Sequence, residues 1–347
     1  WLVDIANPDH AVLRIRDILA THPRLFLRGV PVLLRCDESD GHPAVHPLTP
    51  DHVIRLVHSL SRPYALRSGG TSDRVKEIDI LLPKHLATMY LTLHGEWKLR
   101  QLRGISSAPL VAADGTIRTA TGYDPATGIW CHGAPDIADQ VPTHPTREDA
   151  EKALRRIRLM FRTFCFADAT TQPTPDGKLN IVNVDTPPGD DESAFLVALL
   201  TAVCRPSLRL APAIVIRAPV ITGAGAGKGL LARMICMIAF GRPPRAITAG
   251  DSLAELEKRV GAELMAGDPV LFLDNLNNTT VRSDLLSSAI SETPARVRIL
   301  GKSETVSLNA SALMVLNGNG LLVAEDLIRR CVTINLDPKV EDPESRR

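Results

Sequence analysis

The sequence predicts an α/β protein whose C-terminal part contains a parallel sheet and whose smaller N-terminal part is α+β. After residue 212, continuous apolar segments such as AIVIRAPV (213–220) and PVLFLDN (269–275) alternate with longer helical segments. Continuous apolar strands separated by helices are typical of a parallel sheet covered on both faces. Residues before this point mix helical periodicity with short strands and turns, which favours a smaller α+β part.

The composition is that of an ordinary globular chain. The 347 residues are 44% hydrophobic and 23% charged, and the formal net charge is +1. Any nucleic-acid binding must therefore come from a local basic patch. No apolar run approaches the roughly 18 residues that span a bilayer. We expect a cytoplasmic protein with no membrane partner.

Two further expectations follow from the cysteines and from the two ends of the chain. The six cysteines lack metal-ligand spacing, and several lie in apolar runs, where we expect them to pack as small apolar side chains in a reducing compartment. The chain begins at Trp1 without a signal-peptide pattern and ends on the polar segment EDPESRR. We therefore expect a piece of a longer protein.

The elements of the N-terminal part follow from periodicity and turn residues. HAVLRIRDILAT (10–21) has helical spacing, and VPVLLRC (30–36) is an apolar run bounded by polar residues that predicts a strand. TPDHVIRLVHSL (49–60) predicts a helix capped by Thr49. Asp114-Gly115 indicates a hairpin within 108–130. We expect residues 1–145 to form an accessory domain that binds DNA or forms a collar.

The rest of the chain predicts helices followed by an alternation of strands and helices. A helical linker or lid is expected over 146–210, with helices over 147–164 and 192–204, and an α/β core over 211–347. Within that core we expect strands over 213–220, 269–275, 312–320 and 331–337, helices over 230–241 and 252–267, and a hairpin over 296–308.

The segment VITGAGAGKGLLARM (220–234) has the composition of a phosphate-binding loop. Backbone N–H groups, glycines, a lysine and a helix N-terminus are what such a loop needs. The GxxxxGK[ST] pattern is broken at Thr222 and Gly229, and a Gly-rich turn without a ligand is the alternative. Lys228 and Gly227 are the strongest candidates for ATP binding. The candidate loop comprises Thr222, Gly223, Ala224, Gly225, Ala226, Gly227, Lys228, Gly229 and Leu230.

A carboxylate at the end of a second apolar strand provides a candidate Mg²⁺ ligand. Asp274 ends the run PVLFLD, and phosphoryl transfer needs an acid in such a place. The next residue is Asn275, which cannot accept the proton of the attacking water. Either another carboxylate does so, or Asn275 only orients the water and turnover is slow. The candidate bases are Glu255, Glu257 and Glu304.

Three further features of the C-terminal part have both a functional and a structural interpretation. The strand ALMVLNGNG brings Asn319 or Asn317 to a position where an amide orients the γ-phosphate and water, although Asn-Gly is also an ordinary turn. Arg329 and Arg330 are candidates for a transition-state arginine from a neighbouring subunit, or for structural ion pairs. The hairpin RVRILGKSETVSL is either a surface hairpin or a DNA contact through its basic residues. Those residues are Lys302, Arg298 and Arg296.

Taken in order, TGAGAGKGLLARM, LFLDNLNN, RVRILGKSE, LNGNGL and EDLIRR resemble the motor domain of AAA+ helicases of phages, plasmids and integrative elements, in the superfamily 3 and primase-helicase branch. The likeness covers roughly 147–345 and weakly extends to residue 100. It implies Lys228 as the Walker A lysine, Asp274 as the Walker B acid, Asn319 as sensor 1, Arg329 or Arg330 as the arginine finger, and Lys302 as a DNA contact.

The resemblance implies an ATP-dependent DNA helicase or translocase, a hexameric ring that uses ATP and Mg²⁺ on single-stranded or forked DNA. A primase or an initiator protein is a further implied partner. Because Gly229 and Asn275 depart from the pattern, an ATP-binding assembly or loader module with weak hydrolysis is the alternative. A structural module whose loop holds no nucleotide is a third interpretation.

Overall fold

The computed structural model describes residues 1–3, 7–36, 41–69, 72–250, 252–298, 304–309 and 311–339. The chain forms two compact units, Trp1–Leu102 and Arg103–Arg347. The sequence predicts a boundary at residue 145 instead. The segment 103–131 belongs to the second unit because hydrogen bonds join it there: Ser107 N donates to Phe240 O at 3.1 Å, and Ser207 Oγ donates to Val111 O.

The first unit is a small α+β structure, as predicted. Its elements are α1 (Pro8–Leu19), β1 (Leu25–Arg28), β2 (Val30–Cys36), β3 (Pro43–Pro47), α2 (Pro50–Leu60), β4 (Tyr64–Gly69), β5 (Ser72–Asp79), α3 (Lys84–Leu91) and β6 (Arg100–Gln101). The sheet order is β3-β2-β1-β6, and only β6 pairs in parallel. Ile15, Val57 and Leu86 from the three helices share one core with Leu25 and Leu33. The predicted helices and strand of this part are all observed.

The second unit contains the predicted parallel sheet. Its elements are β7 (Gly104–Ser106), β8 (Leu110–Val111), β9 (Ile117–Arg118), β10 (Gly122–Asp124), β11 (Ile129–Cys131), α4 (Arg147–Phe161), β12 (Thr171–Pro173), β13 (Asn180–Val182), α5 (Asp190–Cys204), β14 (Ala213–Ala218), α6 (Lys228–Phe240), β15 (Ala246–Ile247), α7 (Leu253–Ala266), β16 (Val270–Leu273), β17 (Thr280–Val281), α8 (Asp284–Ser291), β18 (Ala295–Arg298), β19 (Thr305–Leu308), β20 (Leu313–Asn319), β21 (Leu322–Val323), α9 (Glu325–Ile328) and β22 (Cys331–Asn335). None of the helices in the described ranges combines the length and apolar character needed to cross a membrane.

The central sheet has the strand order β15-β16-β20-β14-β22, and every neighbouring pair is parallel. Because side chains alternate along a strand, each central strand contributes to two cores. Ile214 and Leu313 face the core formed with α4, α5 and α6, whereas Val215 and Leu316 face the core formed with α7 and α8. Both faces are therefore covered, which explains why these strands are mainly apolar.

A buried ion pair joins the two helices that precede the central sheet. The guanidinium of Arg158 on α4 donates from Nε and Nη2 to the Glu192 carboxylate on α5, at 2.7 and 2.9 Å. Only 7% and 4% of these side chains are exposed. Arg158 Nη1 also donates to the carbonyls of Val184 and Thr186. The bidentate geometry and the carbonyl contacts compensate the desolvation of both charges.

We predict that Glu192→Gln lowers the free energy of unfolding by about 3 kcal/mol, because the Arg158 guanidinium stays buried without a charged partner. The control is Glu151→Gln, which breaks the exposed pair between Arg147 and Glu151 on α4, with side chains 91% and 61% exposed. This control changes stability by less than about 0.5 kcal/mol. Urea unfolding measures both. Equal losses in the two variants would contradict the structural role of the buried pair.

Candidate functional site

The Gly-rich loop lies where it is predicted, between the end of β14 and the first turn of α6. Gly225 and Gly227 have φ values of +72° and +85°, in the left-handed region that glycine adopts without strain. At Gly223 a Cβ atom would lie 2.1 Å from the Pro219 carbonyl oxygen and 2.6 Å from Asn319 Oδ1. The loop folds back on itself so closely that no side chain fits at this position.

Lys228 is the first residue of α6, and the loop curls around its side chain. The ammonium donates to the Gly223 carbonyl oxygen at 2.7 Å. Burial lowers the pKa of Lys228, and the charges of Cys165 and Asp274 oppose this shift. The lysine is therefore held at the mouth of the loop, close enough to Asp274 to interact with it electrostatically. A bound phosphate oxygen would replace the carbonyl as its partner.

The acid and the two asparagines lie at the carboxyl edge of the sheet. Asp274 directly follows β16, and Asn317 and Asn319 lie in the last three residues of β20. Leu313 and Val315 face the core that contains α6, so the alternation also turns Asn317 and Asn319 to the α6 side. The parallel register brings these residues together because strand ends meet at one edge.

Asn319 has the properties expected of a ligand-binding amide. Its Oδ1 atom is buried and has no hydrogen-bond partner among the described residues. A buried polar atom without a partner costs roughly 1–3 kcal/mol. The same atom lies against Gly223, at the mouth of the phosphate loop. The amide therefore faces the Gly-rich loop.

Asn317 is the second amide of this strand and lies deeper. Only 2% of the residue is exposed, and its Oδ1 accepts from the Asn275 N–H at 3.3 Å. A Cβ atom added to Gly229 would lie 3.7 Å from Asn317 Nδ2 and would touch nothing closer. Asn317 thus lies between the acid strand and the position where the usual phosphate loop has its hydroxyl. The sequence left the choice between the two amides open, and the structure places both at the site.

Asn275 has a conformation that its residue type explains. Its φ is +59°, in the left-handed region, where asparagine is enriched and glutamate is not. Its N–H donates to Asp274 Oδ1 at 2.8 Å, and its side chain is exposed. The amide at this position therefore suits the backbone turn that follows the acid strand.

The segment after Asp274 runs along the end of β20. Leu276 N donates to Asn317 O at 2.9 Å, and Asn278 N donates to Asn319 O at 2.8 Å. In return, Asn319 N donates to Asn277 Oδ1 at 2.7 Å. Asn277 thus holds the backbone of Asn319 in place. Sequence reasoning missed it, although the doubled asparagine in LDNLNN was a signal for such side chain to backbone contacts.

Two residues far upstream in the sequence also contact the phosphate loop. A Cβ atom added to Gly227 would lie 3.3 Å from the Phe164 ring, and Cys165 Sγ donates to Ala226 O at 3.6 Å. Phe164 stacks on Phe161, whose ring centroid is 5.8 Å away. The loop therefore packs against the aromatic cluster of Phe161 and Phe164 at the end of α4. No sequence signal identified these residues, because their contact with the loop is purely tertiary.

Two of the three candidate bases have side-chain partners of their own. Glu255 accepts from Arg259 Nε at 3.0 Å, and Glu257 accepts from Ser283 Oγ at 3.5 Å. Both lie on α7, which covers the face of the sheet opposite to α6. Glu304 directly precedes β19 and is exposed. Glu255 and Glu257 therefore lie on the α7 side of the sheet, whereas Asn317 and Asn319 face α6.

The two candidate arginines lie at the opposite edge of the sheet. Arg330 directly precedes β22, and its carbonyl oxygen accepts from Ala213 N at the start of β14. Arg329 is exposed and pairs with Glu325 at 2.6 Å. Lys228 follows the other end of β14. A strand of this length spans roughly 17 Å, so neither arginine reaches the phosphate loop of its own chain.

The predicted hairpin is present as β18 and β19, paired antiparallel. Ala295 and Val297 are buried, whereas Arg296 and Arg298 alternate with them and are exposed. Lys302, the predicted DNA contact at the tip, lies outside the described residues.

The donor set was also tested for Mg²⁺. Within the described ranges, no group of three or more His, Cys, Asp and Glu side chains could hold a metal ion. Asp274 is the candidate carboxylate ligand at this edge of the sheet, and a Cβ atom added to Gly229 would have only Asn317 Nδ2 within 4 Å, at 3.7 Å. Mg²⁺ keeps several waters and is often bound by one carboxylate together with substrate phosphates. A single carboxylate such as Asp274 fits that mode.

No family model matches the chain, and no curated protein is significantly similar to it. The function is therefore inferred from the geometry of this site.

We predict that Gly223→Ala removes ATP binding, because its Cβ would overlap the Pro219 carbonyl oxygen and the Asn319 side chain. The control is Gly229→Ala in the same segment, where the added Cβ has space on the first turn of α6. This control keeps ATP binding and gains about 0.5–1 kcal/mol of stability. Fluorescent nucleotide titration and thermal unfolding measure the two effects. Normal nucleotide affinity in Gly223→Ala would show that the close packing of the loop at Gly223 is not required for ATP binding.

Proposed function

We propose that the chain is an ATP-driven DNA helicase or translocase of the AAA+ type, which works as a hexameric ring in the replication of a mobile genetic element. The convergence of Lys228, Asp274, Asn317 and Asn319 at one edge of a parallel sheet carries this proposal. These groups supply a phosphate-binding cation, a metal-binding carboxylate and two orienting amides. Phosphoryl transfer depends on such positioning and charge stabilisation rather than on covalent chemistry.

Each group has a defined task in this proposal. The N–H groups of the loop and the N-terminus of α6 bind the β- and γ-phosphates, and Lys228 exchanges the Gly223 carbonyl for a phosphate oxygen. Mg²⁺ held through Asp274 and water neutralises charge on the phosphates. Asn319 orients the γ-phosphate and the attacking water, and Asn317 supports Asn275 and the position of the acid.

Two observations support assembly into a ring. Val220, Ile221 and Leu230 flank the phosphate loop and are 55%, 86% and 56% exposed. Exposed apolar side chains around a site are typical of a surface that another molecule covers. Arg329 and Arg330 lie too far from their own loop to act there, but either one can serve the loop of a neighbouring copy.

An assembly or loader module that binds ATP and hydrolyses it weakly is the second candidate. Gly229 brings no hydroxyl to the metal, and Asn275 brings no carboxylate to the water. The candidate bases Glu255 and Glu257 cover the other face of the sheet. These observations favour slow turnover over rapid hydrolysis, while they leave nucleotide binding intact.

We predict that the purified chain hydrolyses ATP faster in the presence of single-stranded DNA, and that Lys228→Ala lowers this rate at least about 100-fold because the phosphate charge loses its partner. Lys258→Ala is the control, since Lys258 is an exposed lysine on α7. A coupled assay of phosphate release measures both variants. ATP binding without DNA-coupled turnover would favour the assembly module. Absence of binding would reject both candidates.

We predict that replacing Arg296 and Arg298 together by alanine lowers the stimulation of ATP hydrolysis by DNA, while the rate without DNA stays unchanged. Both side chains are exposed on β18, so the fold tolerates the change. The loss of two cationic contacts also reduces the dependence of DNA affinity on salt. Arg156→Ala on α4 is the matched control, because it removes an exposed arginine elsewhere. Unchanged stimulation would exclude the hairpin as the DNA contact.

A further inference from the structure

The second unit contains a cavity that the nucleotide site does not use. Its volume is about 400 Å³, within the range of small-ligand sites. Two lining side chains are guanidinium groups and three are neutral polar groups, and none of those lining residues is acidic. The lining residues are Arg103, Ser207, Arg209, Thr293 and Asn309.

The cavity lies at the amino edge of the central sheet. Arg205, two residues before Ser207, donates from Nε to the carbonyl of Ala312, which directly precedes β20. Asn319 and the phosphate loop lie at the other end of β20, roughly 20 Å away along a strand of this length. The cavity is therefore separate from the candidate ATP site.

Like charges are held close together at this cavity. Arg103 Nη1 donates to the carbonyls of Thr127 and Pro206, at 3.3 and 3.2 Å, which fixes its guanidinium beside the cavity. Arg205 is 3% exposed, and burial together with the charge of Arg103 lowers its pKa to about 10. Burial also lowers the pKa of Arg103. An anion in the cavity would stabilise both charges.

The cavity lies at the base of the hairpin formed by β18 and β19. Thr293 Oγ1 donates to Asn309 Oδ1 at 3.1 Å, and these two residues flank the paired strands. Arg296 and Arg298 are exposed on β18, three and five residues beyond Thr293, which corresponds to roughly 10–17 Å along the strand. Positive groups therefore extend from the cavity along the hairpin.

We propose that this cavity binds a phosphate group and that the phosphate belongs to the backbone of single-stranded DNA. The planar fork of a guanidinium matches two phosphate oxygens. Arg103 is half-buried and provides a fixed contact for the phosphate. Arg209 is exposed, and its side chain moves to contact the phosphate. The DNA backbone is the source because the exposed hairpin arginines continue from the cavity and would contact successive phosphates of one strand. This inference rests on the proposed DNA function for its ligand, but the phosphate site is testable without it.

The first experiment measures the affinity of a labelled single-stranded oligonucleotide by fluorescence anisotropy across a range of salt concentrations. Arg209→Ala is expected to weaken binding roughly three- to tenfold and to reduce the slope of log affinity against log salt by about 0.7, as expected for one lost phosphate contact. Arg156→Ala, the exposed arginine on α4, is the matched control and leaves both values unchanged. The ATPase rate without DNA stays the same in both variants.

A second variant tests the site without removing an arginine. Asn309→Asp has the same shape and keeps the acceptor for Thr293, but it adds a negative charge at the rim of the cavity. We expect it to weaken oligonucleotide binding at least as much as Arg209→Ala. Normal oligonucleotide affinity in both variants would overturn the proposal.

The second experiment distinguishes the source of the phosphate. Thermal unfolding of the whole chain is followed with pyrophosphate, with the Arg209→Ala variant as the reference. Pyrophosphate bound at the Gly-rich loop would stabilise both chains equally, so the readout is the difference between them. If pyrophosphate stabilises the unsubstituted chain more than the variant while both bind the oligonucleotide equally, the cavity takes a free phosphate compound and the DNA assignment is overturned. If the unsubstituted chain binds no DNA at all, the proposed motor function fails as well. If oligonucleotide binding alone depends on Arg209, the proposal stands.

Discussion

The parallel register between β14 and β20 is the constraint on which the site depends. Ala218, the last residue of β14, is paired with Asn319, and Gly320 N donates to Ala218 O at 2.9 Å. The phosphate loop therefore leaves its strand directly beside the amide. On the other side of β20, Leu273 pairs with Leu316, which places Asp274 next to Asn317. A shift of one residue in β20 would turn both asparagines to the opposite face.

Close backbone packing stabilises this register. It leaves no space for a side chain where the chain segments are in contact. A Cβ atom on Gly318 would lie 2.3 Å from the Leu276 carbonyl oxygen, so the segment after the acid strand packs directly on β20. Gly223 has the same constraint on the other side of the strand. The left-handed conformation of Asn275 belongs to this packing, because it turns the chain from β16 onto β20. The residue that departs from the usual acid pair thus has a structural reason to be an asparagine.

The sequence predicts the local elements of the second unit well and their arrangement only in outline. Apolar runs and a glycine-rich turn are local signals, so β14, α6 and β16 are found within a few residues of their ends. The strand β15 has two residues, Ala246–Ile247, which is too short for a periodic signal. The order of strands and the contact of Phe164 with Gly227 are tertiary, so no local pattern predicts them. For the same reason the sequence could not choose between Asn317 and Asn319.

The candidate functional residues lie at two opposite edges of the sheet. The carboxyl edge carries the lysine, the acid and the amides, whereas Arg329, Arg330 and the cavity beside Arg103 lie at the amino edge. The central strands contribute mainly apolar side chains to both cores, although Arg217 Nε of β14 donates to Asn335 Oδ1 of β22 at 2.7 Å. In the proposed function, a γ-phosphate bound at the carboxyl edge would act on the amino edge through movement of whole strands and helices, or across a contact with another copy. In the proposed ring the second route is the shorter one, because one copy's arginine meets the next copy's nucleotide directly.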